Sequence, residues 1–225
     1  MLTKRLAACA ALVTKGGVVC DVGTDHAYLT AELLQKGICT RAVATDIHQG
    51  PLDAARRTLS EAGVLAQTEL RLCDGLEQVQ PEGITDVVIA GMGGETIVHI
   101  LEQCPWKNAV HLILQPMTKI PTLRQWLAAQ GFGWKEHVIA EGEKFYVILD
   151  AWYDGTPRTL SILEQEVGCP DWTEKTAQRY ASWKRVRFQK LAQQLETAGQ
   201  PDAQKWKAAA AQLEQMEHTW EESKC

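Results

Sequence analysis

Short aliphatic, β-branched runs alternate with helical stretches from residue 18 to about residue 130, and this alternation constrains the fold more than any other feature. Val18–Val22 lies between Gly16-Gly17 and Gly23, and Arg41–Thr45, Leu70–Cys73, Asp86–Ala90 and Leu112–Leu114 repeat the pattern. Ala27–Gln35, Pro51–Ala62, Glu95–Gln103 and Thr122–Gln130 carry helical spacing between and after them. Strands that read as continuous apolar runs must be covered on both faces. Strand–helix repeats then build a mostly parallel sheet with helices on each side, and right-handed crossovers leave few topologies. The end differs. Glu136–Glu141 and Lys144–Tyr153 flank a break at Gly142 and read as a hairpin, which gives the sheet an antiparallel edge. The expected fold class is α/β: a Rossmann-like domain whose mostly parallel sheet ends in an antiparallel hairpin.

After Gly155-Thr156-Pro157 the pattern becomes helical. Leu160–Val167 reads as a short helix broken by Gly168-Cys169-Pro170. Thr173–Thr197 and Gln204–Glu222 read as long helices joined at Gly199-Gln200-Pro201, an antiparallel, coiled-coil-like hairpin within which Trp206 and Trp220 are expected to pack. The expected division is 1–157 for the α/β domain and 158–225 for the helical hairpin. Before the first strand, Lys4 and Arg5 open an apolar run too short to span a membrane, read as an amphipathic helix. Cys9, Cys20, Cys39, Cys73, Cys104, Cys169 and Cys225 are scattered, with no C-x-x-C pair and no histidines at ligand spacing. Free thiols in a reducing compartment, a cytoplasmic location and no metal are expected.

Four segments fall where an open α/β sheet binds ligands, beyond the carboxyl ends of its strands. The first is Asp21-Val22-Gly23-Thr24-Asp25-His26-Ala27-Tyr28-Leu29, a strand-to-helix turn. Gly23 lets the backbone approach a ligand closely, and the helix N-terminus offers unpaired N–H groups. Asp21 and Asp25 would repel a pyrophosphate but suit a cationic ligand end, which disfavours a dinucleotide and favours S-adenosylmethionine. Asp46, followed by Ile47, ends the second strand, where an acid accepts from ribose hydroxyls or caps the next helix. Asp74-Gly75 ends the third, as an adenine-amine acceptor or a plain turn. Ala90-Gly91-Met92-Gly93-Gly94 follows the fourth, where glycines clear space for a flat substrate or the methyl donor. Gln115 stands at the same rim, to read a base edge or to sit buried and satisfied by backbone.

These segments, with Gln115-Pro116-Met117 and the helical hairpin, resemble the bacterial tRNA adenine-N1 methyltransferases that modify adenine at tRNA position 22. The motif resemblance runs from residue 1 to about residue 153 and extends to the end in architecture. Thr30 and Thr58 depart from it, standing where relatives often carry Pro and Asn. The resemblance implies a class I methyltransferase, whose sheet ends in such a hairpin, with S-adenosylmethionine as cofactor and tRNA as partner. It places the cofactor on Asp21, Gly23, Thr24, Asp25, His26, Asp46, Ile47, Asp74, Gly75, Ala90, Gly91 and Met92. Adenine N1 is largely unprotonated near neutral pH, so positioning and desolvation carry the reaction. Asp25, Tyr28 and Gly93 are the catalytic candidates: Asp25 to offset cationic charge and Tyr28 to stack on the base.

A net charge of -5 is no signature of nucleic-acid binding, but the charge is unevenly placed. Lys175, Arg179, Lys184, Arg185, Arg187 and Lys190 lie between Glu174 and Glu196 with no acid among them, interleaved with Tyr180, Trp183 and Phe188. Arg179, Lys184, Arg185 and Arg187 are the RNA-contact candidates, with Tyr28 and Gln115 at the base; a solvated helix face is the plainer reading. A methyltransferase acting on another RNA, a protein or a small molecule, a nicotinamide-dependent oxidoreductase and a non-catalytic RNA-binding module are the alternatives. Monomer and homodimer stay undistinguished.

Overall fold

The structure, a computed structural model, describes residues 2–222. Along the chain come α1 (Lys4–Leu12), β1 (Val18–Val22), α2 (Tyr28–Gln35), β2 (Arg41–Asp46), α3 (Gln49–Glu61), β3 (Thr68–Leu72), β4 (Asp86–Gly93) and α4 (Gly94–Glu102). They continue as β5 (His111–Thr118), α5 (Ile120–Ala129), β6 (Phe132–Glu141), β7 (Lys144–Tyr153), α6 (Ile162–Glu166), α7 (Lys175–Thr197) and α8 (Ala203–Glu222). The seven strands form one sheet in the order β3-β2-β1-β4-β5-β7-β6. β3, β2, β1, β4 and β5 pair in parallel, while β7 runs antiparallel to both β5 and β6. From β1 the chain winds first to β2 and β3, then returns to β4 on the other side. The crevice between the carboxyl ends of β1 and β4 is therefore the topological switch point.

Alternate residues of each strand serve different layers. Val87, Ile89, Leu112 and Leu114 join a core with Ile97 and Leu101 of α4 and Leu123 and Leu127 of α5. Val88, Ile113 and Ile148 face the other way, onto Cys9 of α1, Leu33 of α2 and Leu59 of α3. Tyr180 and Phe188 of α7 and Leu213 of α8 belong to the first core, so the helical hairpin packs on the same face as α4 and α5. Trp206 packs inside the hairpin against Phe188, ring centroids 5.1 Å apart. Trp220 stacks at 5.3 Å on Trp172, in the connector before α7.

Several boundaries differ from the sequence reading. α3 starts at Gln49, ahead of Pro51, because proline is harmless in a first turn where its missing N–H has no acceptor. β3 starts at Thr68; Glu69 and Arg71 alternate with aliphatics because this edge strand is half exposed. β4 and β5 run on to Gly93 and Thr118, with register shifts at Ala90, Met92 and Gly93. The glycine segment is thus a bulged continuation of a strand rather than a loop after it, with Gly91 at φ +91°. Cys9, Cys20, Cys39, Cys73, Cys104 and Cys169 are free thiols; Cys225 lies outside the described residues. Among the described residues no helix is long and apolar enough to cross a membrane.

Candidate active site

β1 ends in a turn of unusual backbone. Gly23, Asp25 and Ala27 take φ values of +69°, +51° and +55°, and the last of these starts α2 without a side-chain cap. Left-handed backbone at a residue other than glycine costs about 1–2 kcal/mol, so Asp25 and Ala27 need strong anchors. Thr45 O accepts from both Gly23 N and Thr24 N, at 2.9 Å each. Asp21, buried under the turn, accepts from Thr24 Oγ1 at 2.7 Å and Thr30 Oγ1 at 2.8 Å. Burial pushes the Asp21 carboxyl up, and these two hydroxyls oppose that rise. Asp46 Oδ1 accepts from His48 N at 3.0 Å, and Oδ2 lies 3.4 Å from Asp25 N, tying β2 to the same turn.

A cavity of about 310 Å³ opens at the switch point, lined by Asp21, Gly23, Thr24, Asp25, His26, Tyr28, Leu29, Ala90, Gly91 and Met92, with Arg5 and Leu6 of α1 above. Met92 lies over Gly23, where a Cβ would stand 2.1 Å from its Cε. Tyr28 is 58% exposed at the mouth, its ring stacked on His26 at 5.5 Å and 14°. A ring this exposed does not pack against the sheet. Asp25 is exposed beside His26, 3.6 Å away. A buried acid, an exposed acid and glycine-lined walls fit a ligand with cationic groups and a flat ring system.

Some sequence candidates stand elsewhere. Gln115 is fully buried; it donates to Pro116 O at 2.9 Å and accepts from Arg5, so no free edge remains to read a base. Gly93 caps α4, and Gly94 lets the backbone pass Lys119 O, 2.2 Å from where a Cβ would be; both serve packing. Asp74 lines a separate small crevice against α4, with Glu77 and His99. Gly75, at φ +51°, packs on Ile100 and accepts from Thr45 Oγ1. Ile47 is exposed beside Asp46. On α7, Lys184 is tucked against Glu166, and burial lowers its ammonium to about 8. Arg185 is half-buried and pairs with Glu217 at 3.0 Å. Arg179 and Arg187 stay exposed, with Lys175 and Lys190 on the same helix. Arg187 lies 3.9 Å over the Trp183 ring. Arg5 was missed. Its signal was a pair of cations, Lys4-Arg5, in the first turn of a helix, where the dipole disfavours positive charge.

Known proteins place this architecture. Residues 2–149 match the family described as a methyltransferase domain. The tRNA (adenine(22)-N(1))-methyltransferase of Bacillus subtilis is 34% identical over 172 residues, 72% of each chain. A Streptococcus pneumoniae protein solved with S-adenosyl-L-methionine superposes with a TM-score of 0.81 at 31% identity, over 95% of this chain and 99% of that one. TrmK of M. capricolum, solved with S-adenosyl-homocysteine, gives 0.78 at 26% identity, over 98% of each chain. With its doubly wound sheet, its terminal hairpin and both motif segments at one cavity, the chain belongs to the tRNA (adenine(22)-N(1))-methyltransferase family.

Proposed function

We propose that this protein transfers a methyl group from S-adenosylmethionine to N1 of adenine 22 in tRNA. The observation that carries the reading is the convergence of the β1 turn and the bulged β4 segment on one acid-lined cavity at the switch point. Asp21, held by Thr24 and Thr30, and the Gly23 turn would hold the cofactor's amino-acid end, with Asp46 toward its ribose. When bound, S-adenosylmethionine supplies an electrophilic methyl on a sulfonium, and adenine N1 brings its own lone pair. Tyr28 offers the entering base a face for stacking. Asp25 lines the same cavity, and its carboxylate would offset the positive charge that the base acquires. Leu6, Leu29 and Met92 narrow the cavity and exclude water. No general base is required of the chain.

The base must leave the tRNA stack to reach this cavity. Residues 158–225 read as the RNA-contacting module, with Arg179 and Arg187 the exposed cations among the sequence candidates, joined by Lys175 and Lys190. A tRNA-modifying role also fits a cytoplasmic location. The test incubates the protein with S-adenosylmethionine and unmodified tRNA carrying adenine 22, followed by nucleoside mass spectrometry and primer extension. An N1-methyladenine stop at that position, lost when the adenine is replaced, is the expected result. Cofactor binding without methylation would remove the tRNA assignment.

A further inference from the structure

Strand β6 is an edge of the sheet, 10 residues long, without proline and in unbroken register with β7. Hydrogen-bonded and non-hydrogen-bonded pairs alternate along an antiparallel ladder. Asp154 N donates to Gly131 O at 3.1 Å, so the next pair, Phe132 with Tyr153, turns its backbone groups away from the partner strand. Arg158 Nη1 donates to Phe132 O from outside the sheet at 2.8 Å, in the same phase. By this alternation Trp134, Glu136 and Val138 aim their N–H and C=O groups at the free edge. Among the described residues none of these groups has a hydrogen-bond partner. A cleft of about 680 Å³ runs beside them, against about 310 Å³ at the switch point. Residues 134–139 all line it. Side chains alternate between the two faces of a strand, so a cavity that touches consecutive residues lies along the edge and not over one face. The far wall is Cys169, Pro170 and Asp171 of the connector, with Glu174 and Ala177 where α7 begins.

We propose that this cleft binds an extended, alternately apolar segment of another protein, which adds to β6 as a further strand and carries a Lys or Arg toward Asp171 and Glu174. The inference is independent of the methyl transfer proposed above. Strand addition supplies what the edge lacks, main-chain partners for Trp134, Glu136 and Val138. Residues 134–139 extend about 17 Å, enough for a segment of about five or six residues. Trp134, Val138, Pro170 and Ala177 offer apolar contacts to one side of such a segment. Charge selects the partner. Glu136 is already neutralised by Arg124 at 2.7 Å, and Lys135 turns to the opposite face of the strand, level with Asp150 in the ladder. Asp171 and Glu174 stay exposed. Two acids at the wall repel the phosphates of a nucleic-acid strand and suit a basic side chain. The helix separates the two roles. At about 100° per residue, Glu174 and Ala177 lie about 60° apart, while Arg179 and Lys190 lie about 140–160° from Glu174. RNA and peptide therefore meet different faces of α7. β6 of a second copy fits less well, because it brings its own connector wall to the same edge.

The measurement is selection of displayed octapeptides of random sequence on the full chain, followed by calorimetry and amide hydrogen exchange with the enriched peptides made as synthetic probes. Enriched sequences should be apolar at alternate positions, with a Lys or Arg near one end. Bound peptide should slow exchange at the Trp134, Glu136 and Val138 amides by about 10-fold or more and leave Lys135 and His137, already bonded to β7, unchanged. N-methylation of the peptide at alternate amides should abolish binding in one phase and spare it in the other. Val138→Pro, which deletes one edge N–H and no β7 bond, should weaken the peptide about 2- to 12-fold, the range of one hydrogen bond. Asp171→Asn/Glu174→Gln should weaken a basic peptide about 2- to 5-fold and leave its neutral analogue unchanged. Should Val138→Pro fail to fold, the N-methylated peptides carry the same test. No enriched peptide, or peptides that bind without slowing the edge amides, would overturn the proposal. Slowing of the same amides by tRNA alone, or in the free protein as rising concentration forms a dimer, would also overturn it and give the edge to RNA or to a second copy.

Discussion

Replacing Arg124 by Leu removes one half of a fully buried ion pair that joins three parts of the fold. Arg124 lies on α5 and Glu136 on β6, and their side chains are 0% and 1% exposed. Two hydrogen bonds, at 3.0 Å and 2.7 Å, link guanidinium to carboxylate. Arg124 also donates to Gln165 O at 2.9 Å and Val167 O at 3.0 Å, in the segment leading to the helical hairpin. Trp134 Nε1 donates to the same carboxylate at 2.9 Å. The backbone passes this group closely at Gly168, φ +84°, where an added Cβ would sit 2.1 Å from Glu136 Oε2. With Arg124 gone, a buried carboxylate keeps an indole donor but no counter-charge. Losing one partner of such a pair costs about 3–5 kcal/mol. For a chain of this size Tm moves about 2–4 °C per kcal/mol, so the expected fall is about 6–20 °C. Arg124→Leu/Glu136→Leu should recover most of the loss and end about 1–2 kcal/mol below wild type, because an apolar pair replaces the ions and only neutral donors and acceptors lose partners. Urea denaturation of wild type, both single variants and the double variant measures the coupling. Arg124→Leu costing under about 1 kcal/mol, or a double variant as costly as the two single variants summed, would refute the account.

Three further outcomes follow from particular side chains. Hydrogen bonds that His111 donates to Asp150 and Asp86 raise its imidazole to about 9. Its folded value lies above the unfolded one, so the stabilisation is complete below about pH 6.5 and fades as pH climbs to about 9, up to about 3 kcal/mol shared with its partners. Asp150, held below the ordinary carboxylate range mainly by its hydrogen bond to His111, adds the opposite limb and loses its share as pH falls below about 4. Denaturation of wild type and His111→Gln at pH 6 and pH 9.5 checks this, and an identical pH response in both would be the contrary result. Tyr28→Ala should lower kcat/KM for tRNA about 5- to 150-fold, the range of one base stack, with Tm unchanged for a side chain 58% exposed; unaltered turnover would remove the stacking role. Arg187→Gln should weaken tRNA binding and reduce the salt dependence by about one counterion, whereas Lys184→Gln, in a half-buried pair with Glu166, should change stability and leave the salt slope alone.

The sheet was legible because its signals are local. Val18–Val22 is apolar at every position but Asp21 and sits between glycines, and the strand appears with those bounds. Boundaries shifted where partners distant in sequence decide them. β5 extends through Pro116 and Met117 because β4 bulges alongside, which no spacing within Leu112–Leu114 announces. The sequence reading gives Trp220 a place in the hairpin but no partner; the ring it stacks on, Trp172, lies in an irregular connector that helical spacing does not reach. Basic residues on α7 illustrate the same limit. Sequence shows six cations in a row of turns, but only the packing of Glu166 and Glu217 reveals that Lys184 and Arg185 already have partners.

At the site, charge type was readable and charge geometry was not. Asp21 and Asp25 look alike in sequence, yet one is buried under two hydroxyls and the other is exposed at the mouth. The difference follows from the turn. Strand alternation and the anchors at Thr45 O fix Asp21 inward, while left-handed backbone at Asp25 turns its side chain outward. Thr30, a departure from the family pattern, acquires a physical role here, since its hydroxyl fills one acceptor site on Asp21. The turn therefore holds its strained backbone through fixed hydrogen bonds before any ligand arrives. Ordering a loop on binding costs about 0.5–1.5 kcal/mol for each immobilised side chain, and a turn already anchored at Thr45, Asp46 and Asp21 avoids that cost. The strain at Asp25 and Ala27 is thus offset within the fold, and the acid-lined cavity stands preorganised for a cationic ligand.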